Sequence, residues 1–298
     1  MAPFAIKVSI TFMTKQASKS VNQLKYHTDK RSDTENEVLS ATAATDVIAI
    51  EEPLLIVLYY FDNKVNSYQQ TNLTLMMRTP GYDRQLVIGL LFAEGIIDNV
   101  AQIKSIIASD RDANQVEVTL VQSVEFSQTQ VTQALTAQTS CGLCGKNTLN
   151  ALSLRPTKVI DETPGWLSAQ SVTVFSQALN QHQPQFKQTG GVHGAAYINN
   201  GKWLSVFEDV GRHNAVDKLI GHLLEHQQLS QHGILLLSGR ISFELMQKAI
   251  VAGIAVVIGL GAPSSLAISA AVQFNVTLIG FAKNEQFNVY HGNHRLRQ

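Results

Sequence analysis

The sequence lacks an excess of charge of either sign, since 23 Lys and Arg residues balance 23 Asp and Glu residues along 298 positions. A protein that holds nucleic acid mainly through its phosphates needs a broad basic surface. The composition therefore argues against a nucleic-acid partner. Any anionic ligand is expected to bind a local group of residues.

Long apolar runs are also missing. The longest, residues 249–262, is interrupted by glycines and falls short of the roughly 18 to 20 residues that span a bilayer. Residues 1–15 show neither a charged region before a sustained apolar stretch nor a small-residue cleavage site, so they do not predict a secretory signal. We therefore expect a cytoplasmic protein with no membrane partner.

Cysteine is scarce, and Cys141 and Cys144 are the only two. Gly142 and Gly145 make their turn flexible, and a nearby helix start together with Lys146 would favour the thiolate. A structural zinc site usually needs four nitrogen or sulfur ligands, and the chain has no second cysteine pair, which weakens the zinc interpretation, and we name no metal ligand. The spacing alone still leaves open a redox dithiol, half of a zinc site or a sulfur carrier.

The first part of the chain divides at residue 46. Residues 1–45 are predicted to be a polar mobile arm, because 14–45 have no sustained hydrophobic period. Residues 46–138 are predicted to form an α+β lobe. Its expected elements are strands at 54–61 and 73–77, a helix that starts at Thr79 and Pro80 and ends at Gly95, and a hairpin of strands 103–108 and 116–121.

The second part alternates strands and helices. A loop and linker at 139–165 precede a predicted α/β lobe at 166–298. Within this lobe, strands at 234–237, 254–260 and 276–281 alternate with helices at 242–253 and 264–273. This order predicts a parallel sheet with right-handed crossovers, and ligands of such sheets bind beyond the carboxyl ends of the strands.

Three loops at these strand ends are candidate ligand-binding segments. Two of them combine small residues and hydroxyls with a following helix N-terminus, which suits phosphate, and Arg240 adds a bidentate donor. For each loop taken alone, helix capping is the simpler explanation. Their convergence at one edge favours a dinucleotide ligand. The candidate residues are Ser238, Gly239, Arg240, Ser264, Ser265 and the segment 281–286.

Two further polar segments, 190–195 and 208–214, flank predicted strands. His193 lies between glycines, where a backbone can approach a ligand closely, although a structural hydrogen-bonded histidine is an equal alternative. Asp209 fits a site residue or a helix cap, and Asp217 fits a site residue or a solvated helix charge.

A zinc deaminase is an alternative enzyme class, because His193 and a Cys-x-x-Cys pair are both present. Such enzymes show His-x-Glu before Pro-Cys-x-x-Cys. Here the cysteine pair comes first, no proline precedes it, and the residue two after His193 is Ala195. The pattern argues against that chemistry. A chaperone that binds a cofactor or an apo-enzyme without using its cysteines stays open.

Taken together, the motifs resemble one family, the formate dehydrogenase accessory sulfurtransferases or FdhD family, over about residues 46–296. The most distinctive match is Glu-Asp-Val-Gly-Arg-His-Asn at 208–214. The matching stretches are 77–81, 89–97, 139–145, 189–196, 208–218, 238–242, 262–265 and 287–290.

The resemblance implies transfer of sulfur from a cysteine desulfurase to bis-molybdopterin guanine dinucleotide, for which a guanine nucleotide is an expected mimic, before that cofactor enters formate dehydrogenase. It implies that Cys141 carries the persulfide and that Cys144 assists its transfer. It further implies a homodimer and a second lobe like the cytidine deaminase three-layer fold. The implied cofactor residues are Phe281, Ala282, Lys283, Asn284, Glu285 and Gln286, to which we add His193, Arg212 and His213 beside the loop residues above.

Overall fold

The computed structural model of the protein describes residues 16–29, 38–109, 112–126, 160–230, 232–283 and 285–297. Over these ranges the architecture is mixed α/β, as predicted. Cys141, Cys144 and Asn284 lie outside the described residues. No helix in these ranges is long and apolar enough to cross a membrane.

The N-terminal lobe is a four-stranded sheet with one helix. Alternating apolar residues of the central strand, Leu54, Ile56 and Leu58, are fully buried in the core that the helix shares. The elements are β3 (Glu52–Asp62), β4 (Ser67–Arg78), α1 (Asp83–Ala93), β5 (Ile103–Ala108) and β6 (Gln115–Leu120). The sheet order is β4-β3-β6-β5, with β6 parallel to β3 and the other pairs antiparallel.

The start of α1 corrects the sequence prediction. The helix begins at Asp83, and its cap is Tyr82 in the left-handed conformation rather than Thr79. The buried guanidinium of Arg78 donates two hydrogen bonds to the Asp83 carboxylate, at 2.8 and 3.1 Å, and so holds a turn between strand and helix. Thr79 is therefore available for contacts outside the helix.

The C-terminal lobe contains a six-stranded sheet in the order β13-β12-β11-β10-β8-β9. The predicted β-α-β-α-β run is confirmed, because β10, β11 and β12 are parallel neighbours. The elements are β7 (Leu167–Ser168), α2 (Ala169–Ala178), α3 (Pro184–Thr189), β8 (His193–Asn199), β9 (Lys202–Asp209), α4 (Arg212–Glu225), β10 (Gly233–Leu237), α5 (Phe243–Val251), β11 (Val256–Gly259), α6 (Ser265–Gln273), β12 (Thr277–Lys283), β13 (Gln286–His291) and β14 (Leu296–Arg297). The short strands β7 and β14 pair in parallel outside this sheet.

The predicted arm has regular structure where it is described. Strands β1 (Ser18–Asp29) and β2 (Val38–Ala49) pair as a long antiparallel ribbon. The base of the ribbon contacts the C-terminal lobe, where the hydroxyl of Ser18 donates to the side chain of Gln188 at 3.3 Å. Polar strands with one exposed face have a weak hydrophobic period, so the sequence pattern did not reveal them.

The two lobes share one continuous hydrophobic core. Helix α1 crosses α4 where both carry glycine: a Cβ atom at Gly89 would lie 1.9 Å from the carbonyl oxygen of Asp217, and one at Gly221 would lie 2.0 Å from that of Gln85. Only glycine permits this separation of the two backbones. The crossing fixes the N-terminal lobe against the helix that leads to the candidate site.

Candidate functional site

The three predicted loops meet at one edge of the six-stranded sheet. Gly261 donates its backbone N–H to the carbonyl of Gly239 at 3.0 Å, and Phe281 donates to the carbonyl of Gly261 at 3.1 Å. Ile241 donates to the carbonyl of Ala262 at 3.0 Å. The loops after β10, β11 and β12 therefore form a continuous rim, and the predicted convergence at the carboxyl ends is confirmed.

Basic side chains lie along the same edge. His193 starts β8 and lies opposite Asp209 at the end of β9. A Cβ atom on Gly239 would lie 3.4 Å from the Nδ1 atom of His193. Burial, together with the charges of Arg212, His213 and Arg240, lowers the pKa of His193, while Asp209 acts in the opposite direction. We call His193, Arg212, His213 and Arg240 the cationic edge. At neutral pH two guanidinium groups supply its permanent charge.

One donor of the cationic edge has no acceptor among the described residues. The Nε atom of Arg212 is buried, and none of the described residues accepts a hydrogen bond from it. Because buried polar groups are normally satisfied, an unpartnered guanidinium nitrogen indicates a site where an anion can supply the acceptor.

Three helices begin at this edge, with α4, α5 and α6 starting at Arg212, Phe243 and Ser265. Their first N–H groups and dipoles favour negative charge. The hydroxyl of Ser264 accepts a hydrogen bond from Ala267 at 3.2 Å, so it also caps α6, the simpler role considered for it. Ser238 accepts from the N–H of Gly194 at 2.8 Å and thereby fixes the start of β8.

His213 has acidic and hydroxyl partners on α5. Its Nε2 atom lies 3.4 Å from the hydroxyl of Ser242 and 3.9 Å from a carboxylate oxygen of Glu244. His213 and then Ser242 lower the pKa of Glu244 to about 2, against the opposing effect of burial. Glu244 therefore stays ionised and orients His213 at the start of α4.

Asp209 lies behind the cationic edge in a fully hydrogen-bonded position. One carboxylate oxygen accepts from Lys218 Nζ at 2.7 Å and from the N–H of Thr79 at 3.1 Å. The other oxygen accepts from Gly211 at 2.8 Å and Asn214 at 3.0 Å. Both members of the ion pair are buried, so Asp209 positions the start of α4 and leaves no oxygen for a ligand.

Thr79 connects this network to the N-terminal lobe. Its carbonyl accepts from Lys218 at 2.8 Å, and its hydroxyl accepts from the N–H of Val210 at 3.0 Å. We call Thr79, Asp209, Asn214 and Lys218 the lobe junction. The 77–81 and 208–218 motifs thus bond to each other across the lobes.

Asp217 is not a solvated helix charge. It is buried, and one of its carboxylate oxygens lies 2.7 Å from Nζ of Lys248 on α5. Burial raises the pKa of Asp217, and Lys248 opposes that rise. The pair joins α4 to α5 beneath the edge.

The residues of the candidate segment 281–286 differ in solvent exposure. Phe281 adopts a left-handed backbone with φ of 54° and is 40% exposed, whereas Ala282 is 1% exposed. Ala282 can therefore offer a ligand only its backbone. Lys283, Glu285 and Gln286 are exposed.

Comparison with known proteins gives the same family as the sequence motifs. The model of the FdhD/NarQ family matches residues 63–297. The chain belongs to the FdhD/NarQ family. Relatives named sulfur carrier protein FdhD include those of Sulfolobus acidocaldarius, 37% identical over 83% of this chain and 90% of the relative, and of Mycobacterium tuberculosis, 37% identical over 82% and 90%.

A solved structure shares the fold of this FdhD/NarQ member. It is described as a formate dehydrogenase accessory protein from Desulfotalea psychrophila, and it aligns with a TM-score of 0.66 at 23% identity. The alignment covers 93% of this chain and 99% of the other. The resemblance predicted from the motifs is confirmed.

The structure brings most predicted site residues to one edge, but sequence reasoning missed several supporting residues. Thr79, Asn214, Lys218 and Glu244 were not identified as contributors. Lys218 and Asn214 lie within the distinctive 208–218 motif. The high proportion of polar residues in that motif was the signal that could have identified them. Only the fold shows that they bond to another lobe.

Proposed function

We propose that this protein is a sulfur carrier that uses Cys141 as a persulfide in the maturation of a formate dehydrogenase. Membership of the FdhD/NarQ family and the names of its relatives support the carrier role. The observation that carries the acceptor side is the cationic edge, with an unpartnered Arg212 donor and three helix N-termini.

The donor step is a thiol exchange. The Cys141 thiolate attacks the terminal sulfur of a cysteine desulfurase persulfide, and the desulfurase thiolate leaves. Attack by the Cys144 thiolate on the Cys141 sulfur then releases hydrosulfide and leaves a Cys141–Cys144 disulfide. A cellular dithiol reductant then reduces this disulfide and restores both thiols.

The proposed acceptor is bis-molybdopterin guanine dinucleotide. Its pyrophosphates suit the cationic edge, and sulfide is a good ligand for a soft metal centre. A guanine nucleotide should occupy part of the same site. We place the reaction in the cytoplasm, where thiols stay reduced, and propose a homodimer with a deaminase-like C-terminal lobe.

Intact-protein mass spectrometry tests the proposal directly. The purified protein is incubated with a cysteine desulfurase and cysteine, beside Cys141→Ala and Cys144→Ala. We expect a gain of sulfur mass that reductant removes, that Cys141→Ala abolishes and that Cys144→Ala retains. No gain in the wild type, with desulfurase turnover confirmed, would refute the carrier role.

The second candidate is a chaperone that binds the cofactor without carrying sulfur. The cationic edge favours it, since anion binding there needs neither cysteine. Full formate dehydrogenase activity in cells that contain only Cys141→Ala would support the chaperone over the carrier.

A further inference from the structure

Two histidines lie one turn apart at the end of α4 that is remote from the cationic edge. His222 and His226 have the i, i+4 spacing that places both side chains on one face of a helix. Their ring centroids lie 4.1 Å apart, and the ring planes are inclined by 36°. Because a helix rises 1.5 Å per residue, the pair lies about 15 to 20 Å along the axis from Arg212. It is therefore separate from the proposed cofactor site.

A backbone contact fixes the tautomer of neutral His226. Its Nδ1 atom lies 2.8 Å from the carbonyl oxygen of His222. Since a carbonyl oxygen only accepts, Nδ1 carries the proton, and the Nε2 atom keeps a lone pair that can bind a metal ion. Histidines that bind metals usually donate their other ring N–H to a carbonyl or a carboxylate in this way. The side chain of His226 is exposed, so an ion in solution can reach it.

Packing orients the ring of His222. The ring of Phe207 lies 5.3 Å from it, centroid to centroid, on the side of β9. Tyr82, the cap of α1, packs edge to face on Phe207 at 5.0 Å. A ring that neighbouring side chains already hold loses little rotational freedom when it binds a ligand.

The spacing and the local charge both suit a cation. Two nitrogen ligands of one tetrahedral ion lie about 3.3 Å apart, and the χ2 angle of histidine rotates easily enough to reach this from the observed ring separation. The carbonyl end of a helix dipole favours positive charge. The neighbouring carboxylate of Glu225 accepts from Arg84 at 2.6 Å and from Gln85 at 2.8 Å, so it is engaged with α1.

We propose that His222 and His226 bind a divalent transition-metal ion such as Ni²⁺, Cu²⁺ or Zn²⁺. Imidazole nitrogen suits these ions, whereas Mg²⁺ and Ca²⁺ take oxygen ligands. The part of the chain that the structure describes has no group of three or more His, Cys, Asp and Glu side chains that could hold a metal. The site therefore has two protein ligands, and water fills its remaining positions. The bound ion links the last turn of α4 to its C-terminal cap.

Equilibrium dialysis with Ni²⁺ tests the site. The protein is purified without a polyhistidine tag and with Cys141→Ala and Cys144→Ala, so that thiolates do not compete for the ion. Loss of an orienting partner alone costs about 10- to 100-fold in metal affinity, and the loss of a ligand in His226→Gln should cost at least as much. Mg²⁺ should not bind at the same concentrations. With both cysteines present, His226→Gln should bind one Ni²⁺ fewer than the wild type.

Two variants serve as matched controls. His226→Gln combined with Gln227→His keeps the number of histidines but places the second one five residues from His222, on a different face of the helix. It should not restore binding. His294→Gln removes an exposed histidine elsewhere and should bind Ni²⁺ as its parent does. All variants should keep the thermal midpoint of the ion-free parent, because the substituted side chains are exposed.

Electron paramagnetic resonance of Cu²⁺ bound to the cysteine-free protein identifies the ligands. We expect coupling to two imidazole nitrogens in the parent and to one in His226→Gln. Equal Ni²⁺ affinity in parent and His226→Gln would overturn the site, as would restored binding in the Gln227→His protein. Coupling to a single nitrogen in the parent would overturn the two-histidine ligand set. None of these outcomes depends on whether Cys141 carries sulfur.

Discussion

The lobe junction and the cationic edge both take residues from the 208–218 motif, but they differ in burial and in hydrogen bonding. At the junction, Asp209 and Lys218 are buried and their polar atoms have several partners each. At the edge, one nitrogen of Arg212 has no acceptor in the part of the chain that the structure describes, and Arg240 is exposed. Residues with satisfied hydrogen bonds serve the fold, and residues with unused donors are available to a ligand.

The largest effect on stability is expected from a substitution that breaks the lobe junction. In Lys218→Met, the carboxylate of Asp209 stays buried without its cation, which should reduce the free energy of unfolding by about 3 to 5 kcal/mol. Urea denaturation measures the change, with the exposed Lys202→Met as the matched control. A loss below about 1 kcal/mol, the scale of an exposed ion pair, would contradict the junction's structural role.

The next largest loss of stability is expected where α1 crosses α4 at Gly89 and Gly221. In Gly221→Ala, the new methyl group would lie 2.0 Å from the Gln85 carbonyl oxygen, so α1 and α4 must separate. Overpacking of this kind costs about 1 to 3 kcal/mol or more. Gly191→Ala is the control, because its methyl group meets nothing nearer than 3.5 Å. Equal unfolding midpoints for the two variants would show that the crossing tolerates a side chain.

Arg240→Ala should affect binding and not folding. Loss of a charged hydrogen-bond donor costs about 1.5 to 3 kcal/mol, or about 10- to 160-fold in pyrophosphate affinity. Stability should stay within about 0.5 kcal/mol, as for other surface substitutions. Calorimetry on Arg240→Ala and Lys202→Ala compares equal charge changes on and off the edge. An equal loss of affinity in both would show a general charge effect.

A smaller effect concerns protonation at the edge. The pKa of His193 is lowered in the free protein, and a bound anion favours its protonated form. Pyrophosphate affinity should therefore rise as pH falls below the ordinary histidine range near 6.5, with proton uptake visible as a buffer-dependent enthalpy. Because pyrophosphate itself takes up a proton near neutral pH, the two proteins have to be compared, and the His193→Gln variant should lose only the part of the pH dependence that His193 supplies. An unchanged profile in that variant would assign the proton to another group.

The smallest effect concerns Glu244. Its pKa in the folded protein is about 2 against an ordinary 4.5, so its contribution to stability is present above pH 4.5 and is lost as pH falls through about 2. The carboxylate is 41% exposed, so the contribution should stay below about 1 kcal/mol. Urea denaturation of Glu244→Gln from pH 7 to low pH should show a flatter acid limb. A steeper limb would contradict the assignment.

Sequence reasoning succeeded where a pattern is local. The run of parallel strands from residue 233 onwards and the loops that follow each strand were predicted because apolar strands and glycine-rich loops alternate within short stretches. It failed where a residue acts through a distant partner. Thr79 looks like a helix cap, and only its contacts with Lys218 and Val210 reveal its role. Asp217 likewise has the spacing of a surface charge, and its partner Lys248 lies on another helix.

The ribbon shows a different limit. Its strands carry Lys19, Lys25 and Asp46 among small polar residues, a composition typical of disorder. Pairing along the whole length of both strands satisfies the backbone groups that face the partner strand, without a large apolar face. Composition indicates whether a segment can build a hydrophobic core. A two-stranded ribbon that is anchored at its base does not need such a core.

The crossing of α1 over α4 has a mechanical consequence. Domain closure needs a hinge or an interface that can slide, and here two backbones touch at Gly89 and Gly221 while a buried ion pair braces the junction. The lobes therefore move as one rigid frame. Closing one lobe onto the other is not available as a way to cover a ligand bound at the cationic edge.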